Sequence, residues 1–397
     1  MSSNPVYALL GRRLRLGVIG GGPESFIGGM HRLAARLDDC YQLVAGVLSS
    51  DPGRALDKAK EIGLPEGRGY ESVVQMLAAE GMRPDGVEVV AIMTPNDSHF
   101  PYAMAALEHN LHVICDKPMT NRVDEARLLH AKVVKSGRVF CLTHNYTGYP
   151  MVRQARAMVA AGELGEIRLV QVEYVQGNRA DSSRPDPLTG PRTWKNHPER
   201  SGPSLILNDI GGHAHNMLRY VTGLEVAAVL AERGAIVPGR KVDDFAGALL
   251  RLGNGARGSY WVTQAAAGMG NGLQFRISGT KGSLEWHQER PQSLTFRPLV
   301  SSGLPMEIRV AGGPGTLELA RRSCRVVAGH PEGFPEAFAN LYRDTAEVIA
   351  ASLAGVAVDP LACHFPTSAD GLATALFIDA VIRSSDSGGT WVEVARQ

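Results

Sequence analysis

Three short stretches of this 397-residue chain carry residue types whose spacing suits proton transfer and phosphate binding. The first is Asn208-Asp209-Ile210-Gly211-Gly212-His213-Ala214-His215-Asn216. On a helix, Asp209 and His213, four apart, share a face, as do His213 and Asn216. A histidine titrates near neutrality and serves as a general base, and a neighbouring carboxylate can hold its orientation. The two glycines leave the helix start uncrowded for a ligand. His215 faces elsewhere and reads as structural, and a lone helical histidine such as His213 also fits a core or surface role. No H-x-x-x-H or H-E-x-x-H spacing supports a metal, and none is expected. The second stretch is Cys115-Asp116-Lys117-Pro118. A partly buried lysine can hydrogen-bond a substrate hydroxyl and favour its deprotonation; the alternative is a surface ion pair of little consequence.

The third stretch is Leu14 to Ile19, an apolar run that ends in Gly20-Gly21-Gly22, with Gly28 and Gly29 just before a helical pattern. Strand, glycine turn and helix together bring backbone N–H groups to a phosphate. Gly20 and Gly22 fit the first two positions of G-x-G-x-x-G. Five residues, Pro23 to Ile27, then intervene before Gly28, so an ordinary strand–helix turn stays open. Thr94-Pro95-Asn96 with His99 ends another apolar run and faces either a cofactor or nothing more than the next helix.

The elements that must position these residues follow from the apolar periodicity. Strand candidates at 14–19, 43–48, 87–93, 111–115 and 139–143 alternate with helical patterns, among them 99–109 and 123–136. Such alternation implies a parallel sheet wound with helices, a Rossmann-like domain over residues 1–145. The pattern changes after Tyr146. A helix at 151–161, a strand at 167–175, a long proline-rich stretch from Gly177 to Pro203 and a helix at 209–221 come first. Two hairpins then turn at Gly253-Asn254-Gly255 and at Gly279-Thr280-Lys281-Gly282. Residues 146–397 are therefore expected to form an α+β domain with a mainly antiparallel open sheet. Helices at 336–353 and 368–383 close the chain, and a C-terminal helix can return to the first domain. The fold class is α/β.

Composition narrows the function. Forty-one basic residues balance 40 acidic ones, which leaves no broad positive field for nucleic acid. The Arg12, Arg13, Arg15 cluster reads as a solvated lead-in to the first strand. Five scattered cysteines, with no C-x-x-C pair, argue against a zinc site or a disulfide framework. No secretory leader pattern is seen, and no apolar run is read as long enough for a membrane span, so a cytoplasmic protein with reduced thiols is expected.

Taken in order, these motifs resemble the glucose–fructose oxidoreductase, inositol dehydrogenase and rhizopine-catabolism (Gfo/Idh/MocA) family. Asp116-Lys117-Pro118 is similar to its Glu-Lys-Pro, and Asp209-Ile-Gly-Gly-His213 to its histidine motif. Thr94-Pro95-Asn96 with His99, and His330-Pro-Glu-Gly333 with Asn340-Leu-Tyr342, add to the match from about residue 14 to 395. The resemblance implies an NAD(P)-dependent oxidoreductase that moves a hydride between a nicotinamide and a sugar or cyclitol. It implies catalysis by Lys117, by His213 as acid/base and by Asp209 as orienting group. It implies cofactor contacts from Gly20, Gly22, Ser25, Phe26, Ile27, Ser49, Ser50, Arg54, Thr94, Pro95, Asn96, His99, Asp116 and Lys117. Substrate contacts are expected from Lys117, Asn145, Tyr146, Tyr149, Trp194, Lys195, Asp209 and His213, with His144 and His330 as weaker candidates. The open sheet implies a homodimer or homotetramer.

Three departures stand out. Asn216 occupies a position where family members often carry an acid. The glycine turn holds an insertion. Ser49 stands at the end of the second strand, where NAD sites usually place an acid for the ribose hydroxyls. Arg54 suits a 2′-phosphate and Asp51 suits a ribose, so these residues leave the two cofactors close; the resemblance, to a family whose sugar oxidations commonly use NAD, favours NAD, and NADP stays open. A redox-assisted elimination that returns the hydride is the alternative chemistry, and a non-enzymatic sensor is the alternative class.

Overall fold

A computed structural model describes residues 4–183 and 193–396. Residues 184–192, within the proline-rich stretch, lie outside it. The chain forms two compact units. The first holds residues up to 120, 124–145 and 335–371; the second holds 121–123, 146–334 and the chain from 372 on. The helix Phe334–Ala354 thus groups, from Pro335, with the first unit.

The first unit is built on β1 (Leu14–Gly20), β2 (Tyr41–Val47), β3 (Val89–Met93), β4 (His112–Cys115) and β5 (Phe140–Leu142). All pair in parallel in the order β2-β1-β3-β4-β5. Every residue of β3, β4 and β5 is buried, as expected for strands covered by helices on both faces. Two helices between β2 and β3, Pro52–Glu61 and Val73–Gly81, escape the sequence reading; both are short, of 10 and 9 residues. The arginine cluster is also not simply solvated. Arg12 grips Glu88 through two hydrogen bonds of 2.8 and 2.7 Å, and Arg15 pairs with the same carboxylate at 3.1 Å. The cluster thereby ties the chain ahead of β1 to the entry of β3.

Two buried histidines set an acid limit on this unit. His31 Nδ1 lies 2.6 Å from the Tyr342 hydroxyl, and His112 Nδ1 accepts from the Val139 N–H at 3.0 Å. Burial pushes both down to about 4, with the Arg138 charge adding to the effect at His112. They stay neutral when folded but protonate on unfolding once the pH falls below the usual value of 6.5. Stability is therefore undiminished above that value and declines as the pH drops from it towards 4, by roughly 2 kcal/mol per histidine at pH 5. The melting temperature is expected to fall by several degrees between pH 7 and 5, and His112→Asn to flatten that slope. An identical slope in the variant removes His112 from the account.

The second unit carries a nine-stranded sheet. It comprises β6 (Ile167–Gln176), β7 (Val226–Gly234), β8 (Phe245–Leu252), β9 (Arg257–Thr263), β10 (Asn271–Gly279), β11 (Gly282–His287), β12 (Ser293–Pro298), β13 (Glu307–Val310) and β14 (Val392–Glu393). The order is β13-β12-β11-β10-β6-β9-β8-β7-β14. All neighbours are antiparallel except β6 and β9. Both glycine hairpins form where expected. β8 and β11 alternate buried and less buried residues, so one face of the sheet is covered, and the helices Pro150–Ala160 and Gly212–Thr222 pack on this unit's core side. β7 reads Val-Ala-Ala-Val-Leu-Ala-Glu-Arg-Gly, rich in helix formers, and only its neighbours in the sheet make it a strand. One stretch, 360–386, is in fact long and apolar enough by length and composition to cross a membrane, but 67% of its apolar window is buried inside the protein, as in a core helix.

Candidate active site

The glycine turn closes β1. Gly20 and Gly21 have φ of +83° and +66°, which only glycine adopts without strain. The following helix begins at Phe26, not after Gly29 as the sequence suggests. Ser25 caps it, its Oγ accepting from the Gly28 N–H at 3.1 Å. A side chain on Gly28 would place its Cβ 2.4–2.6 Å from the backbone of Gly21. Gly28 therefore does the work of the third glycine, close packing of helix on turn, and the insertion Pro23–Ile27 is the end of the turn, its Ser25 cap and the first two helical residues. The capping bond occupies the Ser25 hydroxyl, while Phe26 is 72% exposed. Gly28→Ala is expected to raise the dissociation constant for NAD+ by at least about tenfold and to lower the melting temperature, because the clash is with backbone. Binding calorimetry on the variant checks this.

The carboxyl ends of the next strands complete the cradle. After β3, the buried Thr94 Oγ1 has no hydrogen-bond partner among the described residues, and after β5 the same is true of Asn145 Nδ2. Buried polar groups rarely stay unpaired, so both atoms suit a bound polar ligand. With a helix N-terminus free of acidic residues in its first turn and the glycine turn beside it, this unit fits a dinucleotide phosphate. Asn96, seated in the short turn after Thr94 and Pro95, is buried.

His99 sits between the two motif loops. Its Nδ1 lies 2.7 Å from the Pro118 carbonyl oxygen and its Nε2 2.9 Å from that of Thr94. The ring lies between two backbone carbonyls, and its N–H donates to one of them, so His99 ties the two motif loops together. Asp116 is likewise a brace. One carboxylate oxygen accepts from the Lys117 N–H at 2.9 Å and from the Thr143 hydroxyl at 2.9 Å. The backbone that carries Lys117 is thus fixed from both sides, and the Lys117–Pro118 bond is cis.

Beyond β2, Ser49 Oγ accepts from the Asp51 N–H at 3.1 Å, and Asp51 caps the helix Pro52–Glu61 by accepting from the Arg54 N–H at 2.8 Å. Ser50 is exposed, and Arg54 faces Glu24 at 3.7 Å. Asp51 is thereby committed to the cap.

In the second unit the histidine motif starts as a π-turn, Leu207–Gly211, and continues as the α-helix Gly212–Thr222. Such turns often mark functional sites. Gly211 serves packing rather than ligand access: a Cβ there would stand 2.2 Å from the Tyr260 hydroxyl. Asp209 is held by the Lys195 ammonium at 2.7 Å and by Gln264 Nε2 at 2.9 Å. His213 is buried, its ring edge-on to Tyr146 with centroids 4.8 Å apart and 6.3 Å from Tyr174. Asn216 is buried with neither amide atom partnered among the described residues. His215 stacks on Phe377 at 4.2 Å and meets the Thr374 hydroxyl at 3.1 Å, the structural role its position implied.

A polar network, missed by the sequence reading, joins these groups. Gln264 reaches Gln176 at 3.2 Å, Gln176 reaches Asn271 at 2.6 Å, and the Tyr174 hydroxyl donates to Asn271 at 2.7 Å. The Tyr146 and Tyr174 hydroxyls lie 2.5 Å apart. Burial raises both phenols above their ordinary value, so they remain neutral hydroxyls. The period-two spacing of Tyr174 and Gln176 on β6 was the available signal. Tyr149 is buried, its ring packed between those of Tyr146 and Trp286. Trp194 lies in a short turn with its ring 5.9 Å from the Lys195 ammonium. His330 is exposed on a surface turn, while His144 is buried.

Known proteins match this architecture. The model of an oxidoreductase family with an NAD-binding Rossmann fold matches residues 14–144, and that of a GFO/IDH/MocA C-terminal domain matches residues 152–285. An uncharacterized oxidoreductase of Bacillus subtilis, YfiI, is 32% identical over 97% of this chain and 98% of its own. The crystal structure of an inositol dehydrogenase homolog from Azotobacter vinelandii, complexed with NADH and myo-inositol, is 32% identical with a TM-score of 0.86, covering 96% of this chain and 98% of that one. Levoglucosan dehydrogenase, known from Pseudarthrobacter phenanthrenivorans, has been solved with NADH and levoglucosan. That structure is 26% identical with a TM-score of 0.83, covering 97% and 100% of the two chains. The paired domains, the glycine cradle and the two motifs converge on one assignment: the chain belongs to the GFO/IDH/MocA family and is an NAD-dependent oxidoreductase.

Proposed function

We propose that the protein oxidises a secondary hydroxyl of a sugar or cyclitol, or reduces the matching ketone, with Lys117 and His213 as the proton-handling groups. The observation that carries this reading is the Asp209–His213 constellation, where a buried imidazole lies beside neutral phenols, in a network of amides that includes the Lys195–Asp209 ion pair. Such a surface donates and accepts hydrogen bonds in alternation, which suits a polyol better than an apolar or strongly charged substrate. The bound nicotinamide supplies hydride acceptance or return. Lys117 donates a hydrogen bond to the reacting oxygen and stabilises its deprotonated form. His213 takes the hydroxyl proton in oxidation and returns it in reduction. Asp209, fixed by Lys195 and Gln264, binds a further substrate hydroxyl or orients the imidazole. The related dehydrogenases act on, or were solved with, myo-inositol and levoglucosan, which supports this substrate class.

The test is a panel of cyclitols, aldoses and anhydrosugars assayed for NADH formation with product analysis. Stoichiometric NADH and a ketone or lactone are expected. Turnover without net NADH would replace this reading with the elimination chemistry.

A further inference from the structure

The end of β2 presents an inconsistency for an NAD-dependent enzyme. The position that usually supplies an acid to the ribose hydroxyls is Ser49, and Asp51 is spent on a helix cap. The nearby helix Pro52–Glu61 instead offers two cations, Arg54 and Lys58, the combination that accommodates a 2′-phosphate. A carboxylate from another element answers both. Glu24, in the insertion of the glycine turn, pairs with the Lys58 ammonium and lies 3.7 Å from the Arg54 guanidinium. The Lys58 hydrogen bond holds the Glu24 carboxyl below the usual range, so it is charged at neutral pH.

The backbone explains why Glu24 falls there. A Cβ on Gly22 would meet the Leu48 carbonyl oxygen at 2.9 Å and the Lys58 ammonium at 3.1 Å. The turn after β1 therefore lies against the carboxyl end of β2, and the residue two positions on is carried over the region where this fold places the adenosine ribose.

We infer that Glu24 determines the cofactor selectivity of this protein: its carboxylate occupies the two cations a 2′-phosphate needs and repels that phosphate, so NAD is selected over NADP. Selection by an acid thus comes from the glycine turn rather than from the end of the second strand. A carboxylate so exposed acts through charge, and its effect weakens as salt screens it.

The test is binding and needs no turnover, so it stands apart from the substrate assignment. Affinities of the whole protein for 5′-AMP and adenosine 2′,5′-bisphosphate, and for NAD+ and NADP+, are measured by calorimetry at low and high salt. Wild type is expected to favour the ligands without the 2′-phosphate. Glu24→Gln is expected to tighten bisphosphate and NADP+ binding by about tenfold or more, with 5′-AMP and NAD+ changing less than about threefold. Adding Arg54→Ala and Lys58→Met to Glu24→Gln should cancel the gain, and high salt should shrink it. Equal changes for both ligand classes in Glu24→Gln, a gain that survives loss of both cations, or a wild type that already prefers the 2′-phosphate would overturn the inference. Unchanged melting temperatures keep the comparison free of folding effects.

Discussion

Lys117→Ala is expected to lower kcat by at least about 10³-fold while the dissociation constant for NAD+ changes by less than about threefold. The reason lies in what the side chain can do and how it is held. Lys117 follows the carboxyl end of β4, where ligands of doubly wound sheets bind. Asp116 hydrogen-bonds both the Lys117 N–H and the Thr143 hydroxyl, and His99 fixes the Pro118 carbonyl, so the backbone cannot drift. An ammonium there stabilises negative charge that develops on a substrate oxygen only as the proton leaves, so the loss falls on kcat rather than on cofactor affinity. Lys117→Arg should restore little, because a planar guanidinium does not replace a compact ammonium. Steady-state kinetics with calorimetry of NAD+ binding measure both quantities. Turnover within tenfold of wild type removes Lys117 from the chemistry.

The second large effect concerns His213. His213→Ala should reduce kcat by about 10²–10³-fold and remove the limb of the pH–rate profile that belongs to the base. Among the groups packed around this ring, the Tyr146 and Tyr174 phenols are held neutral by burial and cannot substitute as bases. His213→Gln keeps a polar side chain of related size and tests whether the loss is one of proton transfer or of packing against Tyr146. A pH profile of unchanged shape in His213→Ala would assign the base elsewhere. Asp209→Asn offers a contrast. It leaves one acceptor oxygen for the two donors, Lys195 and Gln264, and should move KM more than the pH profile if Asp209 chiefly binds substrate.

Much of the first unit was legible because it is written in local terms. Apolar runs of strand length, helical spacing between them and glycines after the first run give a wound parallel sheet without long-range information. β4, β5 and the helix Val123–Ser136 fall within a residue or two of their sequence-read positions. What failed did so for physical reasons. Gly28 and Gly29 suggested that the helix starts late, yet the Ser25 cap and the close approach to Gly21 place both glycines inside it. β7 is made of helix formers and becomes a strand only through β8 and β14. Gly211 suggested an open approach for a ligand, but the Tyr260 hydroxyl fills that space from β9.

Chemistry divides along the same line. Residue types and spacing alone determined the wound-sheet fold, the lysine and histidine motifs and the family, since each depends on neighbours within a few residues. Tertiary structure decided what those motifs are attached to. His99 and Asp116 became braces because carbonyls and hydroxyls from other segments claim their polar atoms. Tyr149 became core because Trp286, distant in sequence, packs against it. Asp209 found Lys195 and Gln264, and Arg54 and Lys58 found Glu24, through folding of segments that no local pattern connects. Charge and hydrogen-bond partners are set by proximity in space, and for these residues proximity comes from the sheet order and the turn after β1, not from the order of the chain.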